Sequence, residues 1–155
     1  MILYDKLLIE QGKDIISPFD TERVTNIAYD LTAESFSTAP YEEQSSVTLN
    51  PGDCVNVKSV EEIKLPEDMI CRVQLRNSRI RQGLSLDAPI YQPGHHTKVF
   101  FRLINNSGQE LTLKEGDGIA SIILERLGGK VQKPYSGAFQ NEFNYSGMSD
   151  YESIL

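Results

Sequence analysis

Three things are scarce in this chain, and each scarcity narrows what the protein can be. Cysteine occurs twice, at Cys54 and Cys71, seventeen positions apart and without CxxC spacing or a second ligand cluster. That pattern favours two reduced core thiols over a disulfide or a metal pair. Apolar residues never run long enough for a membrane helix, which needs about 20 of them. Met1-Ile2-Leu3-Tyr4-Asp5-Lys6 shows no basic stretch ahead of a long apolar one, so no secretory leader is read and the cytoplasm is the default location. Basic residues are outnumbered, with 15 Lys and Arg against 22 Asp and Glu and a net charge of −7. A nucleic-acid polymer needs a basic face to displace counterions, so neither that partner nor a membrane is expected.

The 155 residues, 39% apolar and 24% charged, suit one domain with a single core. Positive charge is gathered where the whole is negative: Arg72, Arg76, Arg79 and Arg81 fall within one ten-residue stretch. That stretch is a candidate site for a small phosphate-bearing anion, or else a charged strand edge that discourages aggregation.

Periodicity predicts the elements. Ile2 to Gly12 places apolar residues near helical spacing and stops at glycine, a short helix. Beyond it, short apolar or alternating runs recur between turn residues: 27–32, 46–49, 54–57, 70–75, 99–104, 111–113 and 119–124. Asn50-Pro51-Gly52-Asp53 and Glu115-Gly116-Asp117-Gly118 separate them. Many short strands at such spacing predict an all-β barrel or sandwich. From Lys133 onward the periodicity stops, yet Tyr135, Phe139, Phe143, Tyr145 and Tyr151 make the tail too aromatic for plain disorder. Such a tail is expected to dock on something.

Ile27-Ala28-Tyr29-Asp30-Leu31-Thr32, Leu49-Asn50-Pro51-Gly52-Asp53, Leu65-Pro66-Glu67-Asp68, Arg76-Asn77-Ser78-Arg79-Ile80-Arg81 and Gly116-Asp117-Gly118-Ile119-Ala120 occur in an order that resembles the trimeric dUTPase and dCTP deaminase superfamily. The amino-terminal arm, with Gly12-Lys13-Asp14-Ile15-Ile16-Ser17-Pro18, is similar to that of dCTP deaminases. The resemblance implies an all-β fold, a dUTPase-like distorted β-barrel of the β-clip type, with a short N-terminal helix and an extended C-terminal arm. It places the barrel at 1–132 and the arm at 133–155, and it implies a homotrimer with nucleotide sites between subunits. The ligand implied is a deoxypyrimidine nucleoside triphosphate.

Carried over residue by residue, the resemblance assigns Arg76, Ser78 and Arg81 to phosphate binding, and Ala88, Ile90, Tyr91 and Phe139 to the nucleoside. Asp30 either organises the nucleotide site or simply accepts hydrogen bonds in a turn. Mg²⁺ is expected through substrate phosphates and water, with no direct protein ligand.

Two catalytic positions depart from the pattern. Tyr91 or Gln92 stands where dUTPases carry the aspartate that activates water, and neither is a general base near neutral pH. Arg102 stands where dCTP deaminases carry a proton-shuttling glutamate, and a guanidinium has no acceptor. Asp87 is then the nearest substitute acid, and with Asp30 forms the candidate catalytic set. His95 and His96 either titrate near neutrality or supply surface and turn polarity. The reading is a deoxypyrimidine nucleotide-processing protein, foremost a dUTP diphosphatase releasing dUMP and pyrophosphate. A catalytically impaired nucleotide-binding or regulatory relative is the alternative, with dCTP deamination behind both.

Overall fold

The computed structural model describes residues 1–38 and 42–144. Helix α1 (Asp5–Gln11) opens the chain and buries Leu8. The strands follow as β1 (Ile16–Ser17), β2 (Tyr29–Thr38), β3 (Glu42–Gln44), β4 (Ser46–Leu49), β5 (Cys54–Lys64) and β6 (Met69–Leu75). A short helix α2 (Asn77–Arg81) leads to β7 (Leu84–Asp87), β8 (His96–Asn105), β9 (Leu111–Lys114) and β10 (Gly118–Arg126). The main sheet has the order β6-β10-β2-β5-β8-β7 and curls into a nearly closed barrel. β1 adds to β5, β3 adds to β2, and β4 and β9 form a separate two-stranded ribbon.

Period-two burial makes this barrel. On β2, Tyr29, Leu31 and Ala33 point into the core while Asp30, Thr32 and Glu34 alternate with them. On β8, Val99, Phe101 and Leu103 are buried, which sets Lys98, Phe100 and Arg102 on the other face. The predicted glycine turn is formed: Gly116 has φ +86°, open to glycine at no steric cost, and β10 starts two residues later. Lys58 is buried and paired with Glu34 at 3.0 Å and with Glu43, while Lys98 reaches the same Glu34 at 2.7 Å. Charges leave water only in such company.

Three expectations need correction. Arg76-Asn77-Ser78-Arg79-Ile80-Arg81 is not a strand edge, because Asn77–Arg81 closes a helical turn, with Gln82 N–H reaching Ser78 C=O. Of the two free thiols only Cys71 is buried; Cys54, at the start of β5, is exposed. His95 is not surface polarity, being 6% exposed. Among the described residues no helix is long and apolar enough to cross a membrane.

Candidate functional site

Antiparallel pairing of β10 with β2 sets Ser121 opposite Asp30, after a register shift between Gly118 and Ser121. The Ser121 hydroxyl donates to Asp30 Oδ1 at 2.6 Å, the length of a charge-assisted hydrogen bond. The other carboxylate oxygen, Oδ2, faces Arg76 Nη2 at 3.7 Å. Arg76 follows β6 directly, and its backbone N–H is tied to Ile119 C=O at 2.9 Å, so its side chain starts from the same strand pair. Asp30, Arg76, Asn77, Ser78 and Ser121 share the lining of a pocket of about 600 Å³. With Ser121 committed to Asp30, the Arg76 guanidinium and the Ser78 hydroxyl are the groups facing this hollow that can donate to an anion.

The other arginines have separate employment. Arg72 pairs with Glu125 across β6 and β10 at 3.5 Å. Arg79 is held by Asp117 at 3.6 Å and donates to the Gly118 carbonyl at 3.2 Å. Arg81 lies on the exposed side of α2, 3.5 Å from Asn77 Oδ1, and is not among the residues lining the pocket. The sequence cluster therefore disperses, because four arginines on a strand and then a helix radiate in different directions.

A second hollow, about 450 Å³, lies where the hairpin before β8 meets the C-terminal arm. Ile90, Tyr91, His95, Phe100, Phe139 and Glu142 all line it. Its volume lies in the roughly 300–1,000 Å³ range of small-molecule sites. Tyr91 is its buried floor: the hydroxyl donates to Phe100 C=O and accepts from Phe100 N–H, both at 2.8 Å. Burial pushes the Tyr91 phenol well above its ordinary range. His95 donates Nε2–H to the Phe139 carbonyl at 2.8 Å and stacks on Tyr135 at 4.0 Å, and burial lowers its pKa. That carbonyl is an acceptor only, so it selects the Nε2-protonated tautomer.

The arm that closes this hollow belongs to the same chain. Gln140 accepts from His96 N–H at 2.7 Å and donates to the Gly94 carbonyl at 2.9 Å. Gly94, at φ +84°, is pressed against Pro134, where a Cβ would stand 2.8 Å from the proline Cβ. Asn141 takes a left-handed turn, φ +60°, which asparagine tolerates. The next residue, Glu142, pairs its backbone with the start of β8, accepting from Lys98 N–H at 2.9 Å and Thr97 Oγ1 at 2.8 Å. The expected docking of the tail thus occurs through Tyr135, Phe139 and Phe143, the last edge-on to His96. Tyr145 and Tyr151 lie outside the described residues.

The structure brings Asp30, Arg76 and Ser78 together, and separately Ile90, Tyr91 and Phe139. Ala88 packs partly buried against the core. Asp87 faces Arg102 across the β7–β8 pair, Oδ2 to Nη2 2.7 Å, with both side chains exposed. That carboxylate raises the Arg102 pKa. Cys71 exchanges backbone hydrogen bonds with Tyr91, which places the cavity beneath the arm at one end of β6 and Arg76 at the other. Five residues at about 3.3 Å each separate them by roughly 16 Å. Sequence reasoning left Ser121, Gln140 and Glu142 without roles, and left His95 between titration near neutrality and surface or turn polarity. For Ser121 and His95 the signal was partial, a serine in a conspicuous motif and a His-His pair whose members must point opposite ways. Among the described residues, no group of three or more His, Cys, Asp or Glu could hold a metal ion.

With this geometry in hand, comparison with known proteins is informative. The dCTP deaminase-like family profile matches residues 33–127. A dCTP deaminase of Thermococcus kodakarensis is 30% identical over 131 residues, covering 81% of this chain and 84% of the relative. The fold is similar to that of a solved 2′-deoxycytidine 5′-triphosphate deaminase from Agrobacterium tumefaciens, with a TM-score of 0.68 at 17% identity, over 82% of this chain and 49% of that one. A dUTPase mutant of phage phi11 of S. aureus, described for its structural Mg(II) ion, aligns with a TM-score of 0.54 at 16% identity, over 73% of this chain and 85% of that one. The chain spans about half the length of the deaminase structure and most of the curated relative. By profile and by identity, the chain belongs to the dCTP deaminase-like family, within the superfamily that also holds the dUTPases.

Proposed function

We propose that the protein binds and converts a deoxypyrimidine nucleoside triphosphate, with the phosphates in the Asp30–Arg76 pocket and the pyrimidine in the cavity beneath the arm. The observation that carries this reading is Arg76, drawn to Asp30 at 3.7 Å beside the hydroxyls of Ser121 and Ser78. At that separation the guanidinium is oriented without being locked, so phosphate oxygens can take its N–H groups. Because the two hollows lie at opposite ends of β6, the reading includes a homotrimer in which the phosphate pocket of one copy is completed by the cavity of another. One carboxylate whose oxygens already serve Ser121 and Arg76 fits a Mg²⁺ that travels on the triphosphate and meets Asp30 through water. When bound, such an ion supplies charge neutralisation at phosphate oxygens.

Deamination of dCTP is the reaction assigned first, supported by the name that the curated relative carries. Hydrolysis of dUTP is the second reading, favoured by Asp87, which stands opposite Arg102 on the strand face that also carries Phe100. Freed from Arg102, Asp87 would be able to accept a proton from water attacking the α-phosphate. One experiment separates these. The full chain is incubated with dCTP or dUTP and magnesium, and ammonia and pyrophosphate are followed independently. Ammonia from dCTP supports the first reading; pyrophosphate that disappears in Asp87→Asn supports the second. Tight binding without turnover identifies a regulatory relative, and failure to bind any deoxynucleoside triphosphate sinks the proposal.

A further inference from the structure

Arg102 occupies the position where the resemblance expects a carboxylate and holds Asp87 at 2.7 Å, and among the described barrel residues lining the cavity beneath the arm there is no carboxylate. The arm brings one in. Glu142 lines the cavity together with Tyr91, His95 and Phe139, and its side chain forms no hydrogen bond or ion pair with any described residue. Its position is set by its backbone, bridged to the start of β8 through Thr97 and Lys98, so the carboxyl is presented by a residue tied to the barrel. We propose that Glu142 is the group that moves protons in the pyrimidine cavity, taking over from the barrel the acid–base work of deamination. The inference rests on the reading of that cavity as the base site.

The surroundings favour such a role. Burial raises the Glu142 carboxyl to about 7, so near neutral pH both protonation states are populated. The titratable groups around it are His95, Tyr91 and Tyr135 in the cavity, and His96 and Lys98 on the strand it pairs with. None forms an ion pair with it: His96 is turned to Glu62 at 3.3 Å, Lys98 to Glu34 at 2.7 Å, and His95 to the Phe139 carbonyl.

The step balances without an added reagent. Ionised Glu142 takes a proton from water as the water oxygen bonds to C4 of the pyrimidine, and passes that proton to N3. The proton of the new hydroxyl then travels through the same carboxyl to the exocyclic nitrogen. The C4–N bond breaks with its electron pair on nitrogen, C4=O forms, ammonia leaves, and Glu142 is again ionised. Water and dCTP become dUTP and ammonia, with no oxidation or reduction.

The test uses the full-length chain with Glu142→Gln and Glu142→Asp. Wild-type ammonia release from dCTP is expected to rise with pH through about 7, while Glu142→Gln lowers kcat about 100-fold or more with little change in KM. Glu142→Asp is expected to restore part of the rate. Unchanged kcat in Glu142→Gln overturns the inference while leaving the cavity reading intact. An independent readout is binding of 2′-deoxycytidine, which no phosphate pocket assists. Its affinity is expected to vary with pH in the wild type with a midpoint near 7 and to be flat in Glu142→Gln. A flat wild-type profile overturns the inference even if no turnover occurs, whereas absence of deoxycytidine binding in the wild type overturns the cavity reading and the inference with it.

Discussion

Gly118 makes room for Arg76: a Cβ built on that glycine would clash with the Arg76 Nη1. The clash is with the far end of a flexible side chain, so Gly118→Ala is expected to fold normally while pushing the guanidinium off Asp30. Triphosphate affinity, measured by calorimetry with a non-hydrolysable analogue, should fall about 10-fold, the loss of one charge-assisted contact. A change in melting temperature of more than about 8 °C would instead mean that the backbone of β10 had moved.

Ser121→Ala removes the short hydrogen bond that fixes Asp30 Oδ1. Hydrogen bonds to charged groups contribute about 1.5–3 kcal/mol, and this partly exposed one is expected at or below the lower end. Urea denaturation should report that loss. Binding of the triphosphate should weaken in parallel, because Asp30 no longer holds Arg76 in one orientation. Loss of stability without loss of binding would separate Asp30 from the phosphate site.

Tyr91→Phe leaves the N–H and C=O of Phe100 without the hydroxyl that both of them use. A typical hydrogen bond contributes about 0.5–1.5 kcal/mol, so losing two costs about 1–3 kcal/mol. Denaturant unfolding should show a decrease in that range, and an unchanged midpoint would mean that water takes the place of the hydroxyl.

Two groups where the arm meets the barrel, His95 on the barrel and Glu142 on the arm, titrate with opposite signs. His95 has its pKa lowered by burial from the ordinary 6.5, so the undocked state binds more protons below that value. Its support for docking is complete above about pH 6.5 and is lost as pH falls. Glu142 is raised from 4.5 to about 7, so the docked state holds a proton that the free carboxyl has shed. Its penalty grows between those values and is constant above them. Amide exchange over residues 135–144 should therefore gain protection from pH 5 to 7 in Glu142→Gln, where only the histidine titrates. In His95→Asn, where only the carboxyl titrates, protection should fall over the same window. Identical profiles in the two variants would remove one of the groups from the latch.

Much of the barrel was legible because burial on one face of a strand forces period-two patterning, and β2, β6, β8 and β10 carry it openly. The glycine turn before β10 was legible for an equally local reason, a positive φ that glycine alone adopts freely. Helix α2 was not, since five residues of Asn77-Ser78-Arg79-Ile80-Arg81 give no helical period to read. Cys54 and Cys71 look alike in sequence, and only their places on β5 and β6 make one exposed and the other buried.

Residue chemistry and order alone determined the all-β class and the family likeness, because those depend on short-range patterns. Tertiary structure decided the rest. It paired Ser121 with Asp30 across a shifted register, sent Arg81 outward, tied Asp87 to Arg102, and folded the arm back until Glu142 reached the hollow beside Tyr91. Each of these joins positions distant in the chain or orients a side chain by its neighbours, and strand register and packing, not local preference, set such meetings.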